Sequence, residues 1–432
     1  MSHNSNETHV ERVDKASILA LAEQITQKTK DITEYLQANG YDQPSSSATS
    51  AGYPDTVEYA VLYGKLKRSL EDLNYLVEGP KRHFRELCCQ GYELAAVQVA
   101  LEFGFFEIVP LEGQISIEAL AEKAGVDFDR TCRIVRLLIT VFIFQEPAPG
   151  FIAHNPSSYL LHVDEEIRST LHYSLDEMLK AASATADNVK ASPLEYDSAL
   201  TPFSTLHGIP IFQFYEKDTR RSIRFAKAMA GWAKLNLNIN ALKEAFPWHE
   251  LKGTVVDVGG GSGKVSITLA QSFPDLKFIV QDSADMHTAG QSLLTDETRD
   301  RVSFMQHSFF DPQPVGGAAA FILRACALNW SDRDVITMFR SLVPGLERSE
   351  STTPLLINDL VLPPQGTLTR DFERGLRQID LIMLVGFGGK LRTQSEFATL
   401  LKEADERYEI RNFYPEGLMG LLEVYLKRQE LS

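Results

Sequence analysis

The chain has 432 residues, 44% of them hydrophobic, and a formal net charge of -15. Such a length accommodates two or three domains with ordinary cores. So acidic a balance excludes nucleic acid and anionic membrane as partners, since either needs a basic face. No apolar run approaches a bilayer span, and Met1–Lys30 lacks the basic-then-apolar order of a secretory leader; a cytoplasmic protein is expected. Cys88, Cys89, Cys132 and Cys326 follow neither disulfide-framework nor zinc spacing, so buried or partly buried free thiols and no metal are expected.

In chain order, Ile18, Leu19, Ala22, Ile25, Ile32 and Leu36 mark a helical stripe within residues 14–38, and Gly40–Pro54 reads as a linker. Tyr59, Leu62, Tyr63, Leu66, Leu70, Leu73 and Val77 then recur three or four apart, predicting one face of a long helix closed by Gly79-Pro80. A stripe of this kind docks on the same chain or on a dimer mate. An apolar helix is predicted over Tyr92–Phe106. Ser116 can cap Ile117–Ala124, and Asp127 or Asp129 can cap a helix through Arg133–Thr140. Pro147–Gly150 turns into Phe151-Ile152-Ala153-His154. Helix, helix, hairpin is the winged-helix order, and the acidic balance points it to dimerisation rather than DNA. The expected organisation is a helical extension (1–80, linker 40–54), a winged-helix-like dimerisation domain (81–170), connecting helices walling a substrate pocket (171–247), and a sheet domain (248–432).

The chemistry concentrates after a β-branched strand, Thr254–Val258. Gly259-Gly260-Gly261-Ser262-Gly263 follows at once and a helix is predicted over Lys264–Phe273. Glycines at 259, 261 and 263 permit a tight turn and a close approach to a ligand that a Cβ would exclude. A second strand, Lys277–Val280, leads to Asp282, an acid able to accept both hydroxyls of a ribose. A nicotinamide dinucleotide uses similar parts, but its loop serves a pyrophosphate. Asp257, two residues before the first glycine, favours the adenosine and sulfonium of S-adenosylmethionine instead.

Beyond this loop, Ile279–Asp282, Arg301–Phe304, Asn329–Asp332, Leu360–Pro363, Asp380–Leu384 and Gly388–Thr393 succeed one another in a set order. With these blocks the chain, from about Tyr92 onward, resembles the plant and fungal small-molecule O-methyltransferases of the caffeic-acid type. The resemblance implies an α/β Rossmann-like methyltransferase domain at the C-terminus and a mostly α-helical, winged-helix-like N-terminal dimerisation domain. It further implies a homodimer, bound S-adenosylmethionine and a small-molecule substrate. Gly259, Gly261, Gly263, Asp282, Ser308, Phe309 and Arg324 fall at the implied cofactor positions, and Met229, Leu328, Met383 and Leu391 at pocket-lining ones.

The departures fall on acid–base chemistry. Where the family places a general-base histidine before the Asn-Trp pair this chain has Leu328, and where it places an orienting acid in the Gly-Gly-Lys block it has Leu391. Asp359 is the acid that remains. The adenine-contacting acid is Ser308. Losing a base and its orienting acid together matches the fungal methyltransferase-like pericyclases, which the chain is similar to. Ring closure of a polyketide-derived polyene, with S-adenosylmethionine bound but not consumed, is therefore expected ahead of O-methylation by a substituted base or a regulatory role without turnover. His154, His207 and Asp359 are the candidates for a substrate-facing polar group.

Overall fold

The computed structural model describes residues 17–50, 52–54, 56–195, 199–236, 239–364, 366–415 and 419–428. Two compact units divide it, Met1–Arg168 and Ser169–Ser432. The finer boundaries expected at 80 and 247 fall inside these units, and the start of the expected 14–38 stripe lies outside the described residues.

In the first unit, helix Ile18–Ala38 packs along helix Val57–Glu102. Lys28 Nζ donates to Ser69 Oγ at 2.6 Å, and Tyr35 and Thr56 hydroxyls pair at 2.7 Å. The first helix buries part of the expected stripe. Tyr59 is enclosed, whereas Tyr63, Leu70 and Val77 stay exposed. The predicted stop at Gly79-Pro80 is a break of a single residue. Gly79 lies at φ 66°, ψ 171°, and helix resumes at Pro80, whose missing N–H costs nothing in a first turn. Ser116 Oγ caps Ile117–Ala124 by accepting the Ala119 N–H at 3.1 Å, and Asp127, not Asp129, caps Phe128–Thr140. Strands β1 (Ile115–Ser116), β2 (Gln145–Ala148) and β3 (Phe151–Ala153) form a small antiparallel sheet in the order β1-β3-β2. Cys88 is exposed, against the expectation of a covered thiol.

The second unit is built on seven strands: β4 (Gly253–Val258), β5 (Leu276–Asp282), β6 (Val302–Gln306), β7 (Ala320–Arg324), β8 (Leu355–Asp359), β11 (Tyr408–Tyr414) and β12 (Gly420–Leu426). Two further short strands, β9 (Val361–Leu362) and β10 (Arg392–Thr393), pair with each other. The large sheet runs β11-β12-β8-β7-β4-β5-β6, parallel from β6 to β8, with β12 antiparallel to both its neighbours. Alternating side chains feed two cores. Val256, Val258, Phe321, Leu323, Leu355 and Ile357 face helices Asp332–Glu347 and Gln394–Ala404. Val255, Phe278, Val280, Ile322 and Leu356 pack with Trp248, Leu242 and Leu269. A sheet buried on both faces needs continuous apolar strands, which is why β4 and β7 read so plainly. Strand order reverses between β4 and β7, and a ligand crevice forms outside the carboxyl ends at such a switch point.

Candidate active site

The loop after β4 carries the geometry its glycines suggested. Gly259, Gly261 and Gly263 have φ of 70°, 58° and 74°, a region disfavoured for other residues. A Cβ on Gly259 would stand 2.8 Å from Cys326 Sγ and 3.2 Å from Phe309, and one on Gly263 would press on Phe304 and Val280 at 3.1 Å. One on Gly261 meets nothing within 4 Å, so that side of the loop is open to a ligand. Asp282 ends β5 with its Oδ2 accepting the Gly261 N–H at 2.9 Å. Ser308 and Phe309 follow β6, Ser308 exposed and Phe309 against the loop. These residues fit a nucleoside ligand: an open glycine cradle, a carboxylate at its rim and an aromatic ring beside it.

Beneath the loop Asp257 is buried, its carboxylate accepting from Ser266 Oγ at 2.6 Å. Burial pushes its pKa up to about 6, against the Ser266 hydrogen bond and the Arg324 charge. Arg324, at the end of β7, is partly buried, donates to Asn358 Oδ1 and is flanked by the charges of Asp257 and Asp359.

The expected acid–base positions are apolar in space as well as in sequence. Ala325, at φ 51°, swings the chain into the turn Ala327–Asn329. Leu328 and Leu391 are both buried, in one cluster with Met383, Leu360, Phe387, Phe203 and Tyr215. Arg392, fully buried, ties this turn down: it donates to the carbonyls of Ala327 (2.8 Å) and Trp330 (2.7 Å) and to Asp332 (2.8 Å). Gly389 packs so closely that a Cβ there would sit 2.1 Å from the Leu328 carbonyl oxygen. Asp359 is spent on backbone. It accepts from the N–H groups of Leu360 (2.8 Å) and Leu328 (3.2 Å), and burial lifts its pKa to about 6.

The remaining expected residues separate. Met229 is exposed and stands outside the cluster; its neighbour Ala228 takes the buried face of helix Thr219–Asn236, and consecutive helical residues point about 100° apart. His154, in the first unit, is buried with Nδ1 bonded to Ser158 Oγ (3.0 Å) and Nε2 to the Val109 carbonyl (3.1 Å). With both nitrogens engaged it serves packing, not a substrate. His207 ends helix Pro202–His207, its ring 4.4 Å from that of Phe203 and 4.6 Å from that of Phe214.

A buried ionic cluster beside these aromatics had not been anticipated. The π-helical turn Ser174–Met178 presents Asp176 and Glu177, the latter fully enclosed. Arg221 reaches them at 3.0 and 3.1 Å, Arg224 bonds both, Lys180 contacts Asp176 at 2.5 Å, and Tyr215 donates to Glu177 at 2.5 Å. Burial opposes the charge on Asp176, yet Lys180 and Arg224 hold its pKa well below the usual range. The available sequence signal was a pair of acids between Leu175 and Met178.

Residues 185–406 match the family model of the O-methyltransferase domain. The O-methyltransferase sol2 of Alternaria solani is 49% identical over 98% of this chain and 99% of its own length. The chain belongs to the O-methyltransferase family. Among solved structures, LepI in complex with S-adenosylmethionine superposes with a TM-score of 0.76 at 19% identity, covering 94% of this chain and all of that one. The structure of a pericyclic reaction enzyme gives 0.73 at 18%, with the same coverage. At such identities these two bear on the fold alone. The methyltransferase fold expected from the sequence is the fold observed, and S-adenosylmethionine is the cofactor it is built for. Among the described residues no helix is long and apolar enough to cross a membrane.

Proposed function

We propose that the chain transfers a methyl group from S-adenosylmethionine to a small-molecule hydroxyl that arrives already ionised, an acidic enol such as a hydroxypyridone or tetramic acid of secondary metabolism. The observation that carries this reading is Leu328, buried with Leu391 in an apolar cluster, while Asp359 accepts from the Leu360 and Leu328 N–H groups and Asp380 from the Leu391 N–H. Leu328 takes no proton, which suits an acceptor that has already lost its own. Gly261, Asp282 and Phe309 would hold the cofactor, which supplies, when bound, a sulfonium-activated methyl whose transfer to an anionic oxygen cancels both charges. Leu328, Met383 and Leu391 exclude water and offer an apolar wall to the acceptor. Exposed Tyr63, Leu70 and Val77 in the first unit support assembly as a homodimer, and light scattering that finds a stable 48.3 kDa monomer would exclude it.

The same wall favours a second reading. Pericyclic closure of a polyene moves no proton to a base and gains from being held in a reactive conformer, so a pocket of leucines serves it equally. Turnover separates the two. Purified protein given S-adenosylmethionine should form stoichiometric S-adenosylhomocysteine from acidic enols at neutral pH and little from simple phenols. Absence of S-adenosylhomocysteine with every ionised enol would sink the first reading, and substrate cyclised at constant S-adenosylmethionine would establish the second.

A further inference from the structure

Three buried side-chain polar atoms among the described residues lack a hydrogen-bond partner: Nε2 of His207, Nε of Arg224 and Nε2 of His307. His307 flanks the cofactor-side strand β6, whereas His207 and Arg224 lie with the ionic cluster. A buried donor without a partner costs folding free energy, so it persists most readily where a ligand completes it. His207 is also the imidazole whose ring contacts Phe203 and Phe214, aromatics of the cluster that encloses Leu328 and Leu391.

Its surroundings settle what it can offer. Burial first, then the neighbouring Arg221, lowers its pKa, with Glu177 and Asp176 opposing and Lys180 reinforcing. Arg221 is fixed by Asp176, Glu177 and Asp218, and its guanidinium lies 5.2 Å from the Phe214 ring centroid. These surroundings favour the neutral imidazole, and its Nε2 stands without a partner beside the Phe203 and Phe214 rings. An acidic enol owes its acidity to a conjugated carbonyl, so its anion shares charge between two oxygens. A donor on one oxygen orients the anion and leaves the other to take the methyl group.

Building on the function proposed above, we infer that His207, as its Nε2–H tautomer, binds the non-reacting oxygen of the acceptor, which makes the substrate class a 1,3-dicarbonyl enol rather than an isolated phenol. His207 is an acceptor-binding residue here, not a base. Calorimetric titration of a hydroxypyridone into the S-adenosylhomocysteine-loaded protein tests this without turnover. His207→Phe keeps the aromatic packing and should weaken hydroxypyridone binding by about 10- to 100-fold, the worth of one hydrogen bond to a charged group. His207→Gln, which retains an N–H donor, should recover part of the loss, and S-adenosylhomocysteine affinity should be the same in all three proteins. Unchanged hydroxypyridone affinity in His207→Phe, or no binding to the wild type, overturns the inference. So does a loss that His207→Gln fails to relieve while S-adenosylhomocysteine affinity falls with it. If the binding pattern holds but no S-adenosylhomocysteine forms in turnover, the proposed reaction fails and the His207 site stands.

Discussion

Leu328→His returns an imidazole to the position where the family keeps its base, and its effect should depend on the acidity of the acceptor. A phenol of pKa about 10 is ionised at neutral pH to roughly one part in 10³, whereas general-base assistance is worth about 10²–10⁴-fold. The backbone at 328 is pinned by the Asp359 contact at 3.2 Å and by Gly389 against its carbonyl, so the new ring starts from the same Cα. Leu328 is 7% exposed. Exchanging it for an imidazole among Leu391, Met383 and Phe387 should cost about 2–4 kcal/mol of stability, measurable by urea denaturation. The assay is S-adenosylhomocysteine formation at saturating cofactor. A simple phenol should gain about 10²-fold in rate, more in the double variant with Leu391→Glu, and an acidic hydroxypyridone should change little. A gain of equal size for both acceptors would mean that deprotonation limits the acidic one too, refuting the proposal that it arrives ionised. No gain for either, in a folded variant that binds S-adenosylmethionine, would show that residue 328 does not face the acceptor.

Asp282→Ala should weaken S-adenosylmethionine binding by about 1.5–3 kcal/mol, since it removes a charged acceptor and the 2.9 Å tether on Gly261; unchanged affinity in calorimetry would contradict the cofactor assignment. His154 titrates against folding. Burial holds its imidazole below the ordinary value, so the native state binds fewer protons than the unfolded chain. Its contribution is present above about pH 6.5 and drains away as pH falls below that. Urea denaturation on either side of that pH should show lower stability on the acid side, with a smaller difference in His154→Gln; an identical pH dependence in the two proteins would refute it.

What was legible in the sequence is what backbone sterics forces to appear there. Gly259 and Gly263 sit at positive φ, where a side chain is strained, and a Cβ at either would crowd its neighbours, so glycine is favoured there, and the doubly buried strands around them admit little but apolar residues. Leu328 and Leu391 are legible for another reason, as departures from the blocks that carry the family resemblance; in the structure Arg392 and Gly389 lock the turn that holds Leu328. Nothing comparable marks the ionic cluster. Asp176 and Glu177 meet Arg221 and Arg224 across more than forty residues, and acids in a helix ordinarily read as a solvated face. Only the π-helical turn, which breaks the helical period, carries both inward. The histidines make the point more sharply. His154 and His207 are the same residue type near aromatic rings, and their sequences did not rank them. One is silenced by the Val109 carbonyl, 45 residues away in the chain, and by a serine four residues on. The other has Nε2 without a partner, its ring set beside those of Phe203 and Phe214. Whether a polar side chain is available to a substrate is decided by what its neighbours cannot offer it, and that is a property of the packed chain rather than of any motif.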